Sequence, residues 1–360
     1  GGNFTPITIG VAPFNSEDLR AKAVIGKVEA IVMADLNGSG FFSCKEDLYS
    51  PLSGAKNSSS ASSFSPEKAF LRFSCACKGE EIESVSFDLW DVTQGVWGKK
   101  QQFFFKANKS FRSVAHNISD AIYTKMTGEA PYFNSRIVFV DVGEDGERRL
   151  AIMDQDGSNL SYLTEAKSLI LMPHFSADGE SIIYISYLNG MPKVFVQNIK
   201  KRTVELIGAI PKTAVSPRFS PDNKKIIMSL LEDDGAASLY ELNLSSGSLV
   251  QLSAGSSIDM SGCYSPDGRN IVFASDREGG LPQLFVMSLD TREVRRISEG
   301  EGGYGSPVWS PFGDYIAFSK QNRLTQNSSI GIMEANGSGE RILVEDGGRN
   351  EVPSWAPNGR

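Results

Sequence analysis

The chain has 360 residues, with 36 basic and 43 acidic side chains and a net charge of −7. Single hydrophobic cores rarely grow beyond about 250 residues, so two domains are expected. The acidic balance and the lack of a basic run disfavour a nucleic-acid partner. No stretch of about 18 apolar residues is present, which disfavours direct membrane insertion. The four cysteines are too few for a disulfide framework and are expected to be thiols, with at most one bridge to Cys44.

Residues 1–130 have the pattern of a small mixed α/β domain. Apolar residues at helical spacing predict two helices, and apolar runs between them predict four strands. The predicted order is strand, helix, three strands, helix, at 7–12, 25–38, 69–77, 82–92, 101–107 and 111–128. A serine-rich stretch, 53–65, is predicted to be a loop. Residues 131–136, with Pro131, are predicted to link this domain to the rest of the chain.

From residue 170 onward the sequence repeats itself. Five segments share a proline or glycine, an aromatic residue two places later and a following turn: 173–179, 217–223, 262–268, 307–313 and 353–359. Their fourth residues are Ser176, Ser220, Ser265, Ser310 and Ala356, so the steps are 44, 45, 45 and 46 residues. A fixed period of this size is the signature of a repeat architecture.

Each period contains four short strand candidates, which is typical of a β-propeller blade. Residues 137–164 offer three strands of a first blade, four complete blades follow, and the fifth motif supplies only the innermost strand of a sixth. The sequence therefore predicts a six-bladed propeller over residues 137–360, with an incomplete last blade. We expect the propeller to be truncated at its C-terminal end.

The repeated motif has a structural explanation. One large aromatic residue per blade is expected to pack between adjacent sheets. The Pro-Asp-Gly sequence that follows favours a tight turn, because proline fixes φ, aspartate bonds its own backbone and glycine accepts a positive φ. A catalytic residue would not need to recur in every blade, so these aspartates are interpreted as structural.

No constellation of catalytic or metal-binding residues is found. The chain has two histidines, and no Gly-x-Ser-x-Gly nucleophile elbow is present. His174 is predicted to pack between blades or face the pore, and His116 to have a surface or interdomain role. The acidic stretch 154–165 has some calcium-loop spacing, but Asn159 replaces the required glycine. We therefore expect no enzymatic activity, no metal and no cofactor.

Several N-terminal segments, together with the repeats, point to one family. They are IGVAPF at 9–14, ADLNGSGFF at 34–42, HNISD at 116–120, KMTG at 125–128 and RIVF at 136–139. With the five propeller motifs, this combination resembles the TolB family over nearly the whole chain. Propeller motifs alone are weakly specific, because peptidase propellers share them; the N-terminal segments add the specificity.

The resemblance implies a monomeric periplasmic component of the Tol-Pal envelope system, acting as a non-enzymatic docking hub. It implies binding of the lipoprotein Pal through the propeller and of TolA through the extreme N-terminus, in support of outer-membrane integrity and of invagination during cell division. Outer-membrane proteins and colicin-type bacteriocins are further implied partners, consistent with bacteriocin import and protein transport. In the family, the TolA-binding segment precedes the 9–14 strand. Only residues 1–6 remain of that segment in this sequence, so most of it is expected to be missing.

Two other functions remain open from the residues alone. The propeller could belong to a prolyl-oligopeptidase-like serine peptidase and gate a C-terminal hydrolase domain. It could also be a ligand-binding lectin or sensor, although no acidic or aromatic cluster lies outside the repeat. The α/β domain ahead of the propeller favours the TolB resemblance over both.

The loops that enter the innermost strands are predicted to form a binding mouth. They comprise residues 166–173, 210–217, 254–262, 299–307 and 345–353, and they differ between blades while the motifs repeat. The resemblance places family contact positions for Pal at Thr213, Ser216 and Met260, without identity of the side chains. Around them, the sequence predicts a mixed apolar and polar rim of Leu169, Leu171, Tyr304, Asn350 and Glu351.

Overall fold

The computed structural model describes residues 5–46, 68–79, 81–91, 96–105, 110–165, 169–187, 190–208, 210–325 and 327–360. The chain divides into two compact units, Gly1–Ser135 and Arg136–Arg360. The predicted serine-rich loop, 53–65, lies outside the described residues. None of the helices in the described part of the chain has the length and apolar character needed to cross a membrane.

The first unit is a mixed sheet with two helices. Its elements are β1 (Ile7–Val11), α1 (Leu19–Gly38), β2 (Phe42–Glu46), β3 (Lys68–Lys78), β4 (Glu81–Asp91), β5 (Val96–Trp97), β6 (Gln101–Phe104) and α2 (Phe111–Thr127). The strand order is β2-β1-β3-β4, and both β5 and β6 pair with β4. β1 runs parallel to β2 and β3, whereas β3 and β4 are antiparallel. The predicted strands and helices are confirmed; β2 and β5 are additional.

Both helices bury the apolar stripes that predicted them. The carboxylate of Asp18 caps α1 by accepting hydrogen bonds from the backbone N–H groups of Arg20 and Ala21. Gly128 ends α2 in the left-handed conformation, with φ 73°. The stripe residues in the core are Ile25, Val28, Val32, Leu36, Val114, Ala115, Ile118 and Ile122. Phe111, also predicted on the second stripe, is exposed, because it lies in the first turn of α2. The four cysteines are thiols.

The second unit is a β-propeller built from antiparallel sheets. Blade 1 has three strands: β7 (Arg136–Val142), β8 (Arg148–Asp154) and β9 (Ser161–Tyr162). Blade 2 has four: β10 (Ile170–Phe175), β11 (Ser181–Ser186), β12 (Lys193–Asn198) and β13 (Val204–Leu206). Blade 3 comprises β14 (Ala214–Phe219), β15 (Lys225–Leu231), β16 (Ala237–Asn243) and β17 (Leu249–Gln251).

The same four-stranded plan continues in two further sheets. Blade 4 comprises β18 (Asp259–Tyr264), β19 (Asn270–Ser275), β20 (Gln283–Ser288) and β21 (Val294–Arg296). Blade 5 comprises β22 (Gly303–Trp309), β23 (Tyr315–Gln321), β24 (Ser328–Glu334) and β25 (Arg341–Val344). The described residues thus form a propeller of five blades, and the six-bladed ring is not confirmed.

The repeated aromatic residues pack between adjacent blades, as predicted. Phe219 of blade 3 packs in a core cluster with Ile183 of blade 2, and Tyr264 of blade 4 packs with Ile227 of blade 3. Trp309 occupies the equivalent position in the cluster between blades 4 and 5. Each blade therefore buries its faces against its neighbours, and the cores of the propeller lie between the sheets.

The motif aspartates stabilise turns. Ser176 Oγ donates a hydrogen bond of 2.6 Å to Asp178 Oδ1, and the same serine-to-aspartate bond recurs in the next two blades. This bond is the main cause that lowers the pKa of Asp178, and equivalent bonds lower those of Asp222 and Asp267. The turn on the Ser-Pro-Asp-Gly sequence is thus as predicted.

One β-bulge interrupts the innermost strand of every complete blade. In β10 the register with β11 shifts between Leu171 and His174, and the shift recurs at the same place in β14, β18 and β22. A left-handed residue marks each bulge; these residues are Met172, Ser216, Ser261 and Ser306, with φ of 54°, 52°, 57° and 47°. Left-handed residues other than glycine are uncommon, so their recurrence marks the bulge as a built-in feature of the blade.

The fifth motif keeps the local backbone of the others without forming a strand. Val352 has the same left-handed conformation, with φ 55°, and Trp355 Nε1 donates to the carbonyl of Val308 at 3.0 Å. Residues 351–356 have no strand assignment. The predicted innermost strand of a sixth blade is therefore not observed, because a strand requires a ladder partner and none of the described residues provides one here.

Candidate protein-docking mouth

The strand order places two sets of loops on one side of the propeller. Successive strands of each blade are antiparallel, so loops entering the innermost strands emerge on the same side as loops joining second to third strands. We call this side the mouth. The motif turns and the turns joining third to fourth strands lie on the opposite side.

Leu169 and Leu171 lead into the innermost strand of blade 2. Leu169 is 40% exposed, and its carbonyl accepts a hydrogen bond of 3.0 Å from the backbone of Tyr187. Leu171 is half-buried and pairs with Ile185 of the second strand. The backbone of this segment is therefore fixed, and Leu169 presents an apolar side chain to solvent at the mouth.

Thr213 and Ser216 occupy the equivalent segment of blade 3. Thr213 is half-buried, and its carbonyl accepts a hydrogen bond from Leu231 at 3.0 Å. Ser216 is only 6% exposed, and its backbone N–H donates to Met172 Sδ of blade 2 at 3.3 Å. The structure thus brings the left-handed residues of two neighbouring blades into contact, while the buried hydroxyl of Ser216 offers little surface to a partner.

Met260 lies at the entrance to blade 4 next to a buried polar network. It is half-buried and pairs with Ala274, whereas the neighbouring Asp259 is buried and accepts hydrogen bonds from Ser275 Oγ at 2.6 Å and Arg277 Nη2 at 3.0 Å. Because the charge of Asp259 is paired with that of Arg277, this network holds the entry strand in place. Met260 and the exposed Ile258 are the large apolar residues of this segment.

Tyr304 is not part of the rim, contrary to the sequence-based prediction. Its side chain is 1% exposed and packs against Phe318 with ring centroids 5.3 Å apart. The hydroxyl donates to Glu340 Oε2 at 2.8 Å, and Lys320 lies over the ring. Tyr304 belongs to the core between blades 4 and 5 because its strand begins before the mouth loop ends, which turns the ring inward.

Asn350 and Glu351 are tied to the third strand of blade 5. Asn350 Nδ2 donates to the carbonyl of Ser328 at 3.2 Å, and Ser328 Oγ donates to Glu351 Oε1 at 3.3 Å. Glu351 is exposed and Asn350 half-buried. These two residues lie on the mouth side and are attached to the blade by hydrogen bonds.

Sequence reasoning missed several exposed apolar residues of the mouth. They lie at or after the ends of second strands, or ahead of and at the bulge of innermost segments, and they are Val142, Met172, Tyr187, Met191, Leu231, Ile258, Leu281, Leu324 and Val352. On the opposite side, the exposed large apolar residues are fewer: Leu160 and Phe312 lie in turns, and Ile137, Val204 and Ile342 lie at strand starts. A concentration of exposed apolar side chains on one face is typical of an interaction surface. One signal for them was present in the sequence: these apolar residues stand near the motif at positions that the repeat does not assign to the core.

The two histidines belong to different elements, His116 to α2 and His174 to β10. The side chain of His116 is buried, and its Nδ1 lies 2.7 Å from Asp35 Oδ2. Ser119 Oγ donates to the same carboxylate oxygen at 2.7 Å. The serine and histidine thus share one acid, so the imidazole is not placed as the base of the serine hydroxyl.

Comparisons with known proteins agree with this architecture. A family model described as the TolB beta propeller domain matches residues 123–360, which is more than half of the chain. A curated relative, the Tol-Pal system protein TolB of Roseobacter denitrificans, is 37% identical over 207 residues, covering 55% of this chain and 46% of the relative. The aligned part therefore spans about half the length of that relative.

Solved structures support the same assignment. The crystal structure of TolB from Acinetobacter baumannii matches with a TM-score of 0.82 and 25% identity, covering 99% of this chain and 86% of that one. A structure assigned to TolB from Agrobacterium tumefaciens matches with a TM-score of 0.50 and 20% identity, covering 62% of this chain and 86% of that one, and so supports the fold alone. With the propeller, its repeated motifs and the family match all in agreement, the chain belongs to the TolB β-propeller family.

Proposed function

We propose that this chain is a periplasmic, non-enzymatic docking hub of the Tol-Pal envelope system. The observation that carries the proposal is the family membership, together with the apolar residues concentrated at the mouth of the propeller. A curated relative is named as a Tol-Pal system protein, and a TolB crystal structure aligns with 99% of the chain. We also infer six blades for the whole propeller, because the motif and its left-handed residue recur at Val352.

The proposed partner at the mouth is the lipoprotein Pal. The mouth combines exposed apolar side chains with charged groups that are already paired, such as Lys212 with Glu232 and Arg277 with Asp259. An interface of this kind buries apolar anchors without leaving new unpaired charges, which is the usual composition of a specific protein contact. TolA is the second proposed partner, through the N-terminus, and the proposed roles are outer-membrane integrity and division. Colicin-type bacteriocins are proposed to exploit the same hub.

The mouth is tested by placing a charge on it. Met260→Asp and Ile258→Asp are expected to weaken binding of the cognate Pal by about 1–3 kcal/mol each, the range of an interface anchor. Both positions have side chains at the mouth, and Ile258 is 43% exposed, so folding should tolerate the change. Binding is measured by calorimetry on the full-length natural protein.

Leu160→Asp is the matched control for this experiment. Leu160 is 51% exposed on the opposite side of the propeller, so its charge should leave Pal affinity unchanged. Melting temperatures of all three variants are compared with the wild type to exclude unfolding. Unchanged affinity in Met260→Asp and Ile258→Asp, or equal weakening in Leu160→Asp, would show that Pal docks elsewhere.

A further inference from the structure

Two cysteines stand two residues apart near the end of β3. They are Cys75 and Cys77, and alternate residues of a strand point to the same face of a sheet. Cys75 follows Phe73 on this face and packs against the core that α1 and α2 cover. Both cysteines are free thiols, Cys75 half-buried and Cys77 exposed. The fold therefore brings two accessible sulfur atoms together at the margin of the core of the first unit.

The pairing with β4 keeps the two thiols on the same face. Cys75 lies opposite Val85, which is buried in the core, and Cys77 lies opposite Ile82. The register shifts just before Cys77, where it skips Glu83 of β4. Because the extra residue of this bulge is on β4, β3 keeps its own alternation through both cysteines.

The two thiols also interact with each other. Burial raises the pKa of the Cys75 thiol most, and the charge of Cys77 and a hydrogen bond with it raise this pKa further. Asp18 acts in the same direction, whereas Lys100 lowers the pKa. The Cys75 thiol is therefore protonated at neutral pH, and an ion that binds its sulfur must displace the proton.

The geometry of an extended strand disfavours a disulfide between these two residues. Residues two apart in a strand have Cα atoms about 6.8 Å apart, and their side chains run parallel. A disulfide needs Cβ atoms about 3.5–4.5 Å apart, so the strand would have to bend. Two metal–thiolate bonds in line, each about 2.3 Å long, hold sulfur atoms about 4.6 Å apart. The two side chains can reach that separation by leaning towards each other, so their spacing suits a shared ion.

The number and type of the donor atoms select the ion. Sulfur ligands prefer soft metals, namely monovalent copper, zinc and the iron of iron–sulfur clusters. Zinc sites are almost always four-coordinate and the clusters use four cysteines, whereas monovalent copper is stable with two thiolates. Among the residues that the structure describes, no group of three metal-binding side chains includes Cys75 or Cys77. Two sulfur ligands alone thus fit monovalent copper.

We propose that Cys75 and Cys77 form a binding site for one monovalent copper ion. Binding breaks two S–H bonds and forms two copper–sulfur bonds; the two protons pass to solvent, and no electron is transferred. The ion with its two thiolates carries one negative charge, and Arg20 and Lys100 lie close enough to act on this charge electrostatically. The site belongs to the first unit and does not depend on docking at the mouth of the propeller.

The site is tested by competition for copper on the intact, fully reduced chain. Monovalent copper is supplied anaerobically as its coloured complex with bicinchoninate, and the loss of colour measures the copper that the protein takes. The expected result is transfer of one copper ion per chain, with a new near-ultraviolet absorption from the copper–thiolate bonds. The affinity should fall as the pH is lowered, because protons compete with copper for the sulfur atoms.

Single substitutions distinguish a shared site from binding to separate thiols. Cys75→Ser and Cys77→Ser should each weaken copper binding by more than about 100-fold, since loss of a residue that only supports a metal ligand already costs about 10- to 100-fold. The matched control Cys263→Ser removes a half-buried thiol of the propeller and should leave the affinity within about twofold, as expected of an independent site. Melting temperatures of the three variants confirm that they are folded.

The proposal is overturned if the reduced chain takes no copper from the chelator. It is also overturned if either Cys75→Ser or Cys77→Ser binds copper as the wild type does, because the ion is then not shared by the two sulfur atoms. Equal weakening in Cys263→Ser would likewise contradict it. Should Cys75→Ser fail to fold, Cys77→Ser decides alone, since Cys77 is exposed.

Discussion

Buried polar residues decide which single substitutions matter in this propeller. The sequence places Tyr304 in a predicted loop and so predicts a rim residue, yet its ring lies in the core between blades 4 and 5. By sequence, Arg218 is one variable position of a motif, yet its side chain is only 9% exposed and its Nε is buried without a hydrogen-bond acceptor among the described residues. Neither fact is visible in the sequence, because the direction of a side chain at a strand end depends on the register of a long-range ladder.

Tyr304 is expected to be a stability residue. Tyr304→Phe removes the hydroxyl bonded to Glu340, at a cost of about 0.5–1.5 kcal/mol. Tyr304→Asp empties a packed site and buries a charge, which should cost more than about 3 kcal/mol. Urea unfolding of the two variants measures both values. Near-equal unfolding free energies of Tyr304→Asp and the wild type would contradict a core position of Tyr304 and indicate that its side chain is exposed.

His174 should make stability depend on pH. Burial, and then the charge of Arg218, lower its pKa in the folded chain, so the unfolded chain binds a proton that the folded chain excludes. Stability from this residue is full above pH about 6.5 and falls as the pH drops below it, by up to about 1 kcal/mol at pH 5.5. The slope should flatten in His174→Gln. Parallel pH profiles of the two proteins, measured by urea unfolding, would contradict this.

At the scale of elements, the period predicted most of the propeller. Blade strands are short, mostly apolar runs between turn residues, and the 44- to 46-residue steps fix where each blade begins. In the first unit, β2 and β5 were missed because β2 is short and polar at its end and β5 has two residues. The left-handed bulges were also unpredictable, because three of the four left-handed residues precede proline, and a residue before proline is expected to be extended.

Two glycines of blade 5 allow the contact between blades to be tested. Gly337 has φ +99°, and a Cβ there would lie 2.4 Å from the backbone oxygen of Ile297 in blade 4. Gly337→Ala therefore combines strain with a backbone clash and should cost about 2–4 kcal/mol. Gly347 has φ +79° with open space around it, so Gly347→Ala should cost only about 1 kcal/mol. Equal melting temperatures for the two variants would argue against this packing.

The whole molecule carries its family signature in two places. The propeller repeats alone are also compatible with the gating propeller of a peptidase. The α/β segments ahead of them make the resemblance to the TolB family specific. The fold and the family were thus predictable from sequence. The composition of the mouth was predictable only in part, because which loop side chains stay exposed depends on contacts between blades such as that of Ser216 with Met172.

The chain is expected to lack hydrolytic activity. His116 Nδ1 is engaged with Asp35, and His174 lies on the innermost strand of blade 2, so we expect neither to activate a nucleophile. Nitrophenyl ester and dipeptide anilide substrates should be turned over at the rate of the heat-denatured protein. Activity that disappears in His116→Ala or His174→Ala would overturn this expectation.

The bulge of each innermost strand also separates two halves of one strand. Ahead of it, residues such as Thr213 belong to the mouth, and after it the motif fixes the blade. The extra residue of the bulge uncouples the alternation of side chains before it from the alternation after it. A change of length ahead of the bulge therefore does not reverse which side chains after the bulge point inward and which point outward. The propeller can thus exchange one entry loop for another as a cassette, with the junction at the left-handed residue, and keep the packing of its blades.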